Sequence, residues 1–364
     1  MTTSESRSRG RGWLVGFCMG LIVGVAATVA ILRRRLIDLV TSLRPYQSRR
    51  SEIERPCLII NRWSGGGKAE RYGLVVAAEK VGIETVLLEP DDDLVDLARA
   101  AVGRGVDALG MAGGDGSLGL VAGVAAESDL PFFCVPVGTR NHFALDAGLD
   151  RDDPLSALEA VTQGREIRID IGVVGERPFL NNVSLGIYPL AVGQDGYRDD
   201  RVGTFLATAA EAGSSDDQLD FRFVTPDGRE QHRSPLVLVS NNPYVWSGPP
   251  DFGRRQRLDS GTIGVLAVGL PGQDETLSVA DLLRRRAFQE WSAPELRVDS
   301  PHDSVSVGID GESMELPSPI VIRQQPRGLR LLLPRGARPG FAIGGRSVNA
   351  ELETLLEVLG DSDS

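Results

Sequence analysis

The sequence predicts a chain of three parts: a membrane-spanning helix, an α/β domain built on a parallel sheet, and an all-β sandwich domain. Three observations support this prediction. An uncharged apolar run near the N-terminus is long enough to cross a bilayer, residues 55–163 alternate apolar runs with helical patterns, and after Gly164 the runs become short and alternate with period two. At 364 residues the chain is also too long for one average core.

The predicted boundaries follow these changes in pattern. We expect an N-terminal arm over 1–50, the α/β domain over 51–164, the β-sandwich domain over 165–335 and a C-terminal extension over 336–364. In the α/β domain the apolar runs are continuous, as in strands that are buried on both faces, and this indicates a largely parallel sheet with helices on both sides. Within the sandwich, residues 274–290 are predicted to form a helix.

The first element is the predicted membrane helix, residues 13–32, which hold no charged side chain. At about 1.5 Å per residue such a helix spans the roughly 30 Å apolar core of a bilayer. Six arginines follow it within residues 33–50 and three precede it, so the positive-inside rule predicts a cytoplasmic C-terminal body. A cleaved signal peptide is the alternative, but arginines stand where its cleavage site should lie.

Gly16, Gly20 and Gly24 share one helix face, a pattern that permits a homodimer contact in lipid.

The net charge of −11 is divided unevenly along the chain. Residues 1–50 contain nine arginines against two acidic residues, a net charge of +7, which leaves −18 on residues 51–364. A body this acidic would repel a nucleic-acid backbone, so we exclude nucleic acid as a partner. The arginines beside the predicted helix could contact anionic lipid headgroups instead. The three cysteines are too few and too scattered for a disulfide framework or a zinc site.

Three glycine-rich turns in the α/β domain each follow an apolar run and precede a helical pattern. They are NRWSGGGK (61–68), GGDGS (113–117) and PVGTRN (136–141). In a parallel sheet such turns lie together at the carboxyl edge, where ligands bind. Glycines let backbone N–H groups approach phosphate oxygens, and the positive end of each following helix favours them. The sequence therefore predicts a phosphate-binding crevice with a carboxylate, Asp115, inside it.

Two common phosphate-binding patterns fit this crevice less well. Gly114, Gly116 and Gly119 satisfy the dinucleotide pattern GxGxxG, but they follow the third apolar run rather than the first, and no acidic residue ends the strand about twenty residues later. The Walker pattern fails because it needs glycine in place of Arg62 and serine or threonine in place of Ala69. Ordinary tight turns remain an alternative for any one loop.

In this order and spacing, NxxSGGGK, GGDGS and PxGTxNxFA resemble the diacylglycerol kinase catalytic domain of bacterial lipid kinases and of their sphingosine and ceramide kinase relatives. The resemblance covers roughly residues 55–335, including the β-sandwich of that family and its D-G-E sequence, matched by Asp310, Gly311 and Glu312. GGDG alone also occurs in NAD kinases and 6-phosphofructokinases, but the GTxNxFA element narrows the resemblance to the lipid branch. It implies ATP and Mg²⁺ as cofactors and a lipid substrate.

The resemblance also implies roles for individual residues. Asp115 would meet the metal or the reacting hydroxyl, and Glu312 would accept the proton of the attacking hydroxyl. The implied ATP contacts are Asn61, Ser64, Gly65, Gly113, Gly114, Asp115, Gly116, Ser117, Thr139 and Asn141.

The sequence departs from the family pattern at three places. Arg62 replaces the proline that usually follows the first asparagine, and His142 replaces the usual acid after the last. The turn that contributes to the family's metal site reads LDSG at 258–261, so Asp259 is a candidate metal ligand displaced by one position.

Together these observations predict an ATP-dependent lipid kinase, anchored by a single membrane helix, that phosphorylates a hydroxyl of a diacylglycerol-like lipid. Residues 243–257, PYVWSGPPDFGRRQR, combine aromatic and arginine side chains and could form an exposed, membrane-facing lip, with a plain long loop as the alternative. Two alternatives stay open. One is an NAD kinase-like enzyme that acts on another acceptor, and the other is a catalytically degenerate membrane protein that binds nucleotide or lipid.

Overall fold

The structure is a computed structural model that describes residues 45–50, 52–186, 221–234, 236–245, 254–268 and 288–340. The predicted membrane helix, residues 13–32, lies outside these ranges, as does most of the predicted C-terminal extension. Among the described residues, no helix is both long and apolar enough to cross a bilayer.

Most of the parallel strands in the first sheet are buried along their whole length. Its parallel strands are β2 (Pro56–Ile60), β3 (Glu84–Leu87), β4 (Ala108–Gly113) and β5 (Pro131–Pro136), in the spatial order β3-β2-β4-β5. Strands β2, β4 and β5 have no exposed residue, which is why their sequences read as continuous apolar runs.

Other strands, most of them later in the sequence, complete this sheet. They are β1 (Ser48–Arg49), β6 (Arg165–Val174), β7 (Arg177–Phe179), β16 (Glu295–Val298) and β19 (Ile320–Leu333). Strand β19 runs parallel to β5 and antiparallel to β6. The predicted division at residue 164 therefore falls immediately before a strand of this same sheet, and it stays a prediction.

The helices cover the parallel strands. They are α1 (Lys68–Arg71), α2 (Leu74–Lys80), α3 (Leu94–Gly103), α4 (Asp115–Glu127), α5 (His142–Asp146) and α6 (Glu159–Thr162), with 3₁₀ turns at Ser64–Gly66 and Pro154–Leu158. The pattern over 69–81 is two helices rather than one, because Gly73 adopts a left-handed conformation, φ 59°, that ends the helical path.

The second sheet is antiparallel throughout. Its strands are β8 (Asn182–Gly186), β11 (Leu236–Ser240), β14 (Ile263–Val268), β15 (Phe288–Ala293), β17 (Ser304–Ile309) and β18 (Glu312–Pro317), in the order β15-β14-β11-β8-β17-β18. Two short hairpin-like pairs accompany it, β9 (Phe221–Val224) with β10 (Glu230–Ser234) and β12 (Tyr244–Val245) with β13 (Arg254–Arg255). Most of the predicted helix over 274–290 lies outside the described residues. For residues 288–290 the prediction is wrong, because they belong to β15.

One apolar core lies between the two sheets. Val183, Val237 and Val265 from the second sheet share this core with Leu296 and Ile322 from β16 and β19. A separate core lies between the parallel strands and their helices. The α/β part and the antiparallel part are thus joined through β6, β16 and β19.

The parallel strands end nearly level with one another. Ile60 of β2 lies opposite Ala112 of β4, and Gly113 lies opposite Pro136 of β5. Because all three strands run in the same direction, the chain segments that leave them start side by side at the carboxyl edge. This register brings the three glycine-rich loops together.

Candidate active site

The three glycine-rich loops contact one another. A β-carbon built on Gly65 would lie 2.2 Å from the carbonyl oxygen of Val137, and one built on Gly138 would lie 2.6 Å from the Cα of Gly114. No real β-carbon fits at such distances, so glycine at positions 65 and 138 is what allows the first loop to touch the third and the third to touch the second. The structure therefore gathers the loops into one crevice.

The first loop is a left-handed turn of three glycines. Gly65, Gly66 and Gly67 have φ values of 58°, 67° and 80°, a region that costs other residues roughly 1–2 kcal/mol each. The Asn61 side chain fixes the chain just before this turn, since its Oδ1 accepts the backbone N–H of Trp63 at 3.0 Å. Glycine is therefore required at these three positions by the backbone conformation, and it also leaves the backbone N–H groups accessible to a ligand.

The second loop opens directly into helix α4. The first backbone N–H to bond back within this helix is that of Leu118, to the carbonyl of Gly114 at 3.0 Å. The N–H groups of Asp115, Gly116 and Ser117 therefore have no acceptor within the helix. A β-carbon on Gly114 would meet no atom within 4 Å, so the space beside the helix start is open. These donors and the positive end of a thirteen-residue helix are chemically suited to an anion.

Asp115 links the second loop to the third. Its two carboxylate oxygens accept the backbone N–H groups of His142 and Phe143, each at 3.1 Å, at the start of helix α5. Burial lowers the pKa of His142, against the raising effect of the Asp115 and Asp146 charges. Each Asp115 oxygen retains a further lone pair, so the carboxylate can serve a ligand while it holds α5.

The third loop contains a buried acceptor. Asn141 is fully buried and left-handed, with φ 53°, and its Nδ2 donates to the carbonyl of Gly138 at 2.8 Å. Its Oδ1 has no hydrogen-bond partner among the described residues. Thr139, in contrast, is exposed at the tip of the loop.

Glu312 reaches the same crevice from the second sheet. Its Oε1 would lie 2.3 Å from a β-carbon on Gly116, so this side chain rests on the first turn of α4. Its Oε2 accepts a hydrogen bond from Nη2 of Arg177 at 2.7 Å. The Glu312 side chain is still 53% exposed, which leaves it accessible to a substrate.

Asp310 fixes the turn that presents Glu312. One oxygen accepts the backbone N–H of Leu180 at 2.8 Å, and the other accepts those of Asn181 and Asn182 at 2.8 and 3.0 Å. Burial raises the pKa of Asp310 to about 7, the backbone donors oppose this rise, and the nearby charge of Asp115 adds to it.

The structure brings the implied ATP contacts together with both implied catalytic carboxylates, whereas Asp259 is paired with an arginine. Oδ1 and Oδ2 of Asp259 accept hydrogen bonds from Arg257 at 2.6 and 2.8 Å, so a cation there would have to displace a guanidinium. The described part of the chain also contains no group of three or more His, Cys, Asp or Glu residues suited to a metal ion.

Two arginines of the site were missed in the sequence. Arg177 pairs with Glu312, and Arg255 is fully buried beside Asp146. The interpretation of residues 243–257 as an exposed lip is wrong for Arg255 and Arg257, which are 0% and 8% exposed, while residues 246–253 lie outside the described ranges. No sequence signal distinguishes a buried arginine from an exposed one without knowledge of its partner.

Known proteins show the same sequence features and fold. Residues 55–174 match the profile of the diacylglycerol kinase catalytic domain. A diacylglycerol kinase of Mycobacterium tuberculosis is 27% identical over 325 residues, which cover 79% of this chain and 98% of that protein. The Bacillus subtilis diacylglycerol kinase is 38% identical over 91 residues, 24% of this chain and 30% of that protein. A solved diacylglycerol kinase structure from Bacillus anthracis superposes with a TM-score of 0.55 at 16% identity, over 79% of this chain and all of that one.

Proposed function

We propose that this chain, a lipid kinase of the diacylglycerol kinase catalytic-domain family, transfers the γ-phosphoryl group of ATP to a hydroxyl of a diacylglycerol-like lipid. The observation that supports this most is the meeting of three glycine-rich loops with the carboxylates of Asp115 and Glu312 at one sheet edge. Phosphoryl transfer depends on positioning and on charge stabilisation, and this arrangement provides both.

The crevice fits a nucleotide. The donor groups at the start of α4 suit phosphate oxygens, and a β-carbon on Gly66 or Gly114 would meet nothing within 4 Å, so a ligand can approach the backbone there. The unpaired Oδ1 of Asn141 is an acceptor and suits a hydroxyl or amine of the nucleotide rather than a phosphate. ATP is therefore the proposed donor, held by the ten implied contact residues.

Glu312 is the proposed acceptor of the proton from the lipid hydroxyl. A general base must be accessible and fixed in direction, and Glu312 is about half exposed while Arg177 holds its other oxygen. Asp115 has two proposed roles. It holds helix α5 against the second loop, and its remaining lone pairs face a ligand in the crevice.

Mg²⁺ fits this site only as an ion that arrives with the nucleotide. Magnesium is usually bound by one or two carboxylates together with substrate phosphates rather than by an all-protein cage. Asp115 is the carboxylate in position to contribute, and Asp259 is not, because Arg257 occupies both of its oxygens. When bound, the ion would neutralise phosphate charge.

The predicted N-terminal helix would keep the enzyme beside its substrate. A diacylglycerol-like lipid stays in the bilayer, so an anchor formed by residues 13–32 raises the effective concentration of enzyme and substrate. A cytoplasmic body would have ATP available. We therefore propose a single-pass protein whose catalytic body faces the cytoplasm.

A phosphate-transfer assay tests the proposed function. The full chain, reconstituted in vesicles that contain diacylglycerol, is incubated with [γ-³²P]ATP, and the products are divided between organic and aqueous phases. We expect labelled lipid in the organic phase. Label only in a soluble product would favour a kinase for a different acceptor, and nucleotide binding without transfer would indicate a degenerate domain; either result contradicts the proposal.

A further inference from the structure

Arg255 carries a buried guanidinium group that is surrounded by oxygen acceptors and by the ring of Tyr244. Its side chain is 0% exposed. Nε donates to Oδ2 of Asp146 at 2.6 Å, Nη2 donates to Oδ1 of Asn181 at 2.8 Å, and Nη1 donates to the carbonyl of Asn241 at 3.0 Å and to the carbonyl of Leu180. One side chain thus connects the end of helix α5 to two segments of the antiparallel part.

The first connection leads from Arg255 to Asp115. Asp146, which accepts the guanidinium, is the last residue of α5. The first residues of that helix, His142 and Phe143, donate their backbone N–H groups to the Asp115 carboxylate. The helix is therefore held at both ends, by Arg255 at one and by Asp115 at the other.

The second connection leads from Arg255 to Glu312. Leu180 accepts a hydrogen bond from Arg255 through its carbonyl and donates its own N–H to Asp310 at 2.8 Å. Asp310 precedes Glu312 by two residues and fixes the turn that presents it. A single guanidinium therefore contacts both chain segments that lead to the two carboxylates of the proposed site.

The chemistry of this position suits arginine alone. A guanidinium is planar and presents five N–H donors in a fixed geometry, whereas a lysine ammonium offers three donors on a flexible stem. A buried ion pair is weak evidence for a role in stability, because well-packed apolar residues often replace one at no cost. The arrangement of the acceptors, and not the charge alone, is what Arg255 supplies.

We infer that Arg255 is a positioning residue for the transfer reaction: by holding Asp146 and Leu180 together, it sets the separation between Asp115 and Glu312. This inference rests on the proposed function. It predicts that loss of Arg255 lowers the turnover of fully folded enzyme, because small misplacement of reacting groups is enough to slow a reaction strongly.

A second, largely buried ion pair provides a control. Arg330 donates from Nε and Nη2 to the two carboxylate oxygens of Glu166, both at 2.9 Å, and their side chains are 17% and 2% exposed. Arg330 lies opposite Pro131, the first residue of β5, and thus at the sheet edge away from the loops. Its loss should affect stability without changing the proposed site.

The test compares Arg255→Lys and Arg255→Ala with Arg330→Lys and Arg330→Ala in the full chain. Turnover is measured well below the Tm of each variant, where circular dichroism shows native structure. We expect kcat to fall about 100-fold in both Arg255 variants, the loss that a misplacement of about 1 Å produces, with partial recovery of the alanine variant in millimolar guanidinium chloride. The Arg330 variants should lose stability and keep the wild-type kcat. A folded Arg255→Lys enzyme with wild-type kcat would overturn the inference.

Amide hydrogen exchange separates this inference from the proposed function. If the wild-type chain transfers no phosphate to lipid, the proposed function fails, but the structural claim can still be measured. The amides of His142, Phe143 and Leu180 should then exchange faster in Arg255→Lys than in wild type, and they should not change in Arg330→Lys. Unchanged exchange in the Arg255 variant would refute the positioning role.

Discussion

A β-carbon placed on Gly116 would lie 2.3 Å from Oε1 of Glu312, so the contact between helix α4 and the D-G-E turn exists only because residue 116 is glycine. The same helix face continues with Gly119, whose β-carbon would lie 2.8 Å from Oδ2 of Asp310, and with Gly123, which faces β7 in the same way. The glycines of this helix thus bring two carboxylates of the antiparallel part onto its first turns.

Gly116→Ala should separate Glu312 from the start of α4. We expect kcat to fall about 100-fold, since misplacing a reacting group by about 1 Å costs this much. The Tm should not fall by much, because alanine favours a helix by about 1 kcal/mol over glycine. Steady-state kinetics and thermal unfolding measure the two effects.

Gly103→Ala is the control for this substitution. Gly103 is the last residue of α3, and a β-carbon there would meet no atom within 4 Å. It should leave kcat unchanged. Wild-type turnover in Gly116→Ala would show that the close contact with Glu312 is not needed for the reaction.

Glu312→Gln should remove the proposed proton acceptor without disturbing the fold, because the side chain is 53% exposed. Loss of a positioned acid or base typically slows a reaction by about 10²–10⁴-fold, and we expect a loss of at least about 100-fold in kcat. Glu315→Gln, on the same strand and also exposed, is the matched control and should behave as wild type. Equal turnover in the two variants would exclude Glu312 as the base.

Asp115→Asn should reduce activity much more than stability. The amide oxygen can still accept one of the two N–H bonds at the start of α5, whereas the charge in the crevice is lost. We expect a loss of at least about 100-fold in kcat and little loss in unfolding free energy, because asparagine caps a helix about as well as aspartate does. Urea unfolding and the transfer assay measure the two.

Asp93→Asn separates capping from catalysis. The Asp93 carboxylate caps α3 by accepting the N–H groups of Val95 and Asp96 at 2.8 and 3.0 Å, as Asp115 caps α5. It should likewise lose little stability, and it should keep its activity. If the two variants lost activity equally, the role of Asp115 would be structural only.

Asp310 should make stability depend on pH in a defined window. Its pKa is about 7 in the folded chain against 3.8 for an unperturbed group, so the folded state binds the proton more tightly. The stability that this proton contributes is fully present below about pH 4 and is lost as the pH rises to about 7. The unfolding free energy of wild type minus that of Asp310→Asn should therefore decrease between these values and level off above them.

Asp107→Asn is the control for this pH series. The Asp107 carboxylate also accepts two backbone N–H bonds, from Glu54 and Arg55 at 2.7 and 2.9 Å, but at the protein surface. It measures the effect of replacing a hydrogen-bonded surface carboxylate over the same pH range. A flat difference for Asp310→Asn between pH 4 and 8 would contradict the raised pKa.

The parallel strands were predictable because each of them is marked by a continuous apolar run within its own residues. Strand β4, ALGMAG, is buried at every position and reads as a continuous apolar run. The long strand β19 was not predictable in its role, since it joins β5, β6 and β16, partners that are distant in sequence. Pairing over such separations leaves no periodic signal in the strand itself.

The candidate site was predictable where backbone geometry requires glycine. Gly65 and Gly138 follow from the loop sequences, and the structure gives their reason in contacts between loops. Glu312 could be selected only through the family resemblance, because nothing local marks it among fifty acidic residues. Arg255 could not be found at all, since its burial depends on acceptors supplied by three separate segments.

A crystal structure of the protein with a non-hydrolysable ATP analogue tests the central claim most directly. We predict that the phosphates lie within hydrogen-bonding distance of the backbone N–H groups at the start of α4 and of the 64–67 turn, with the γ-phosphate on the side of Glu312. Phosphates bound at another edge of the sheet, or a nucleotide whose γ-phosphate points away from Glu312, would contradict it.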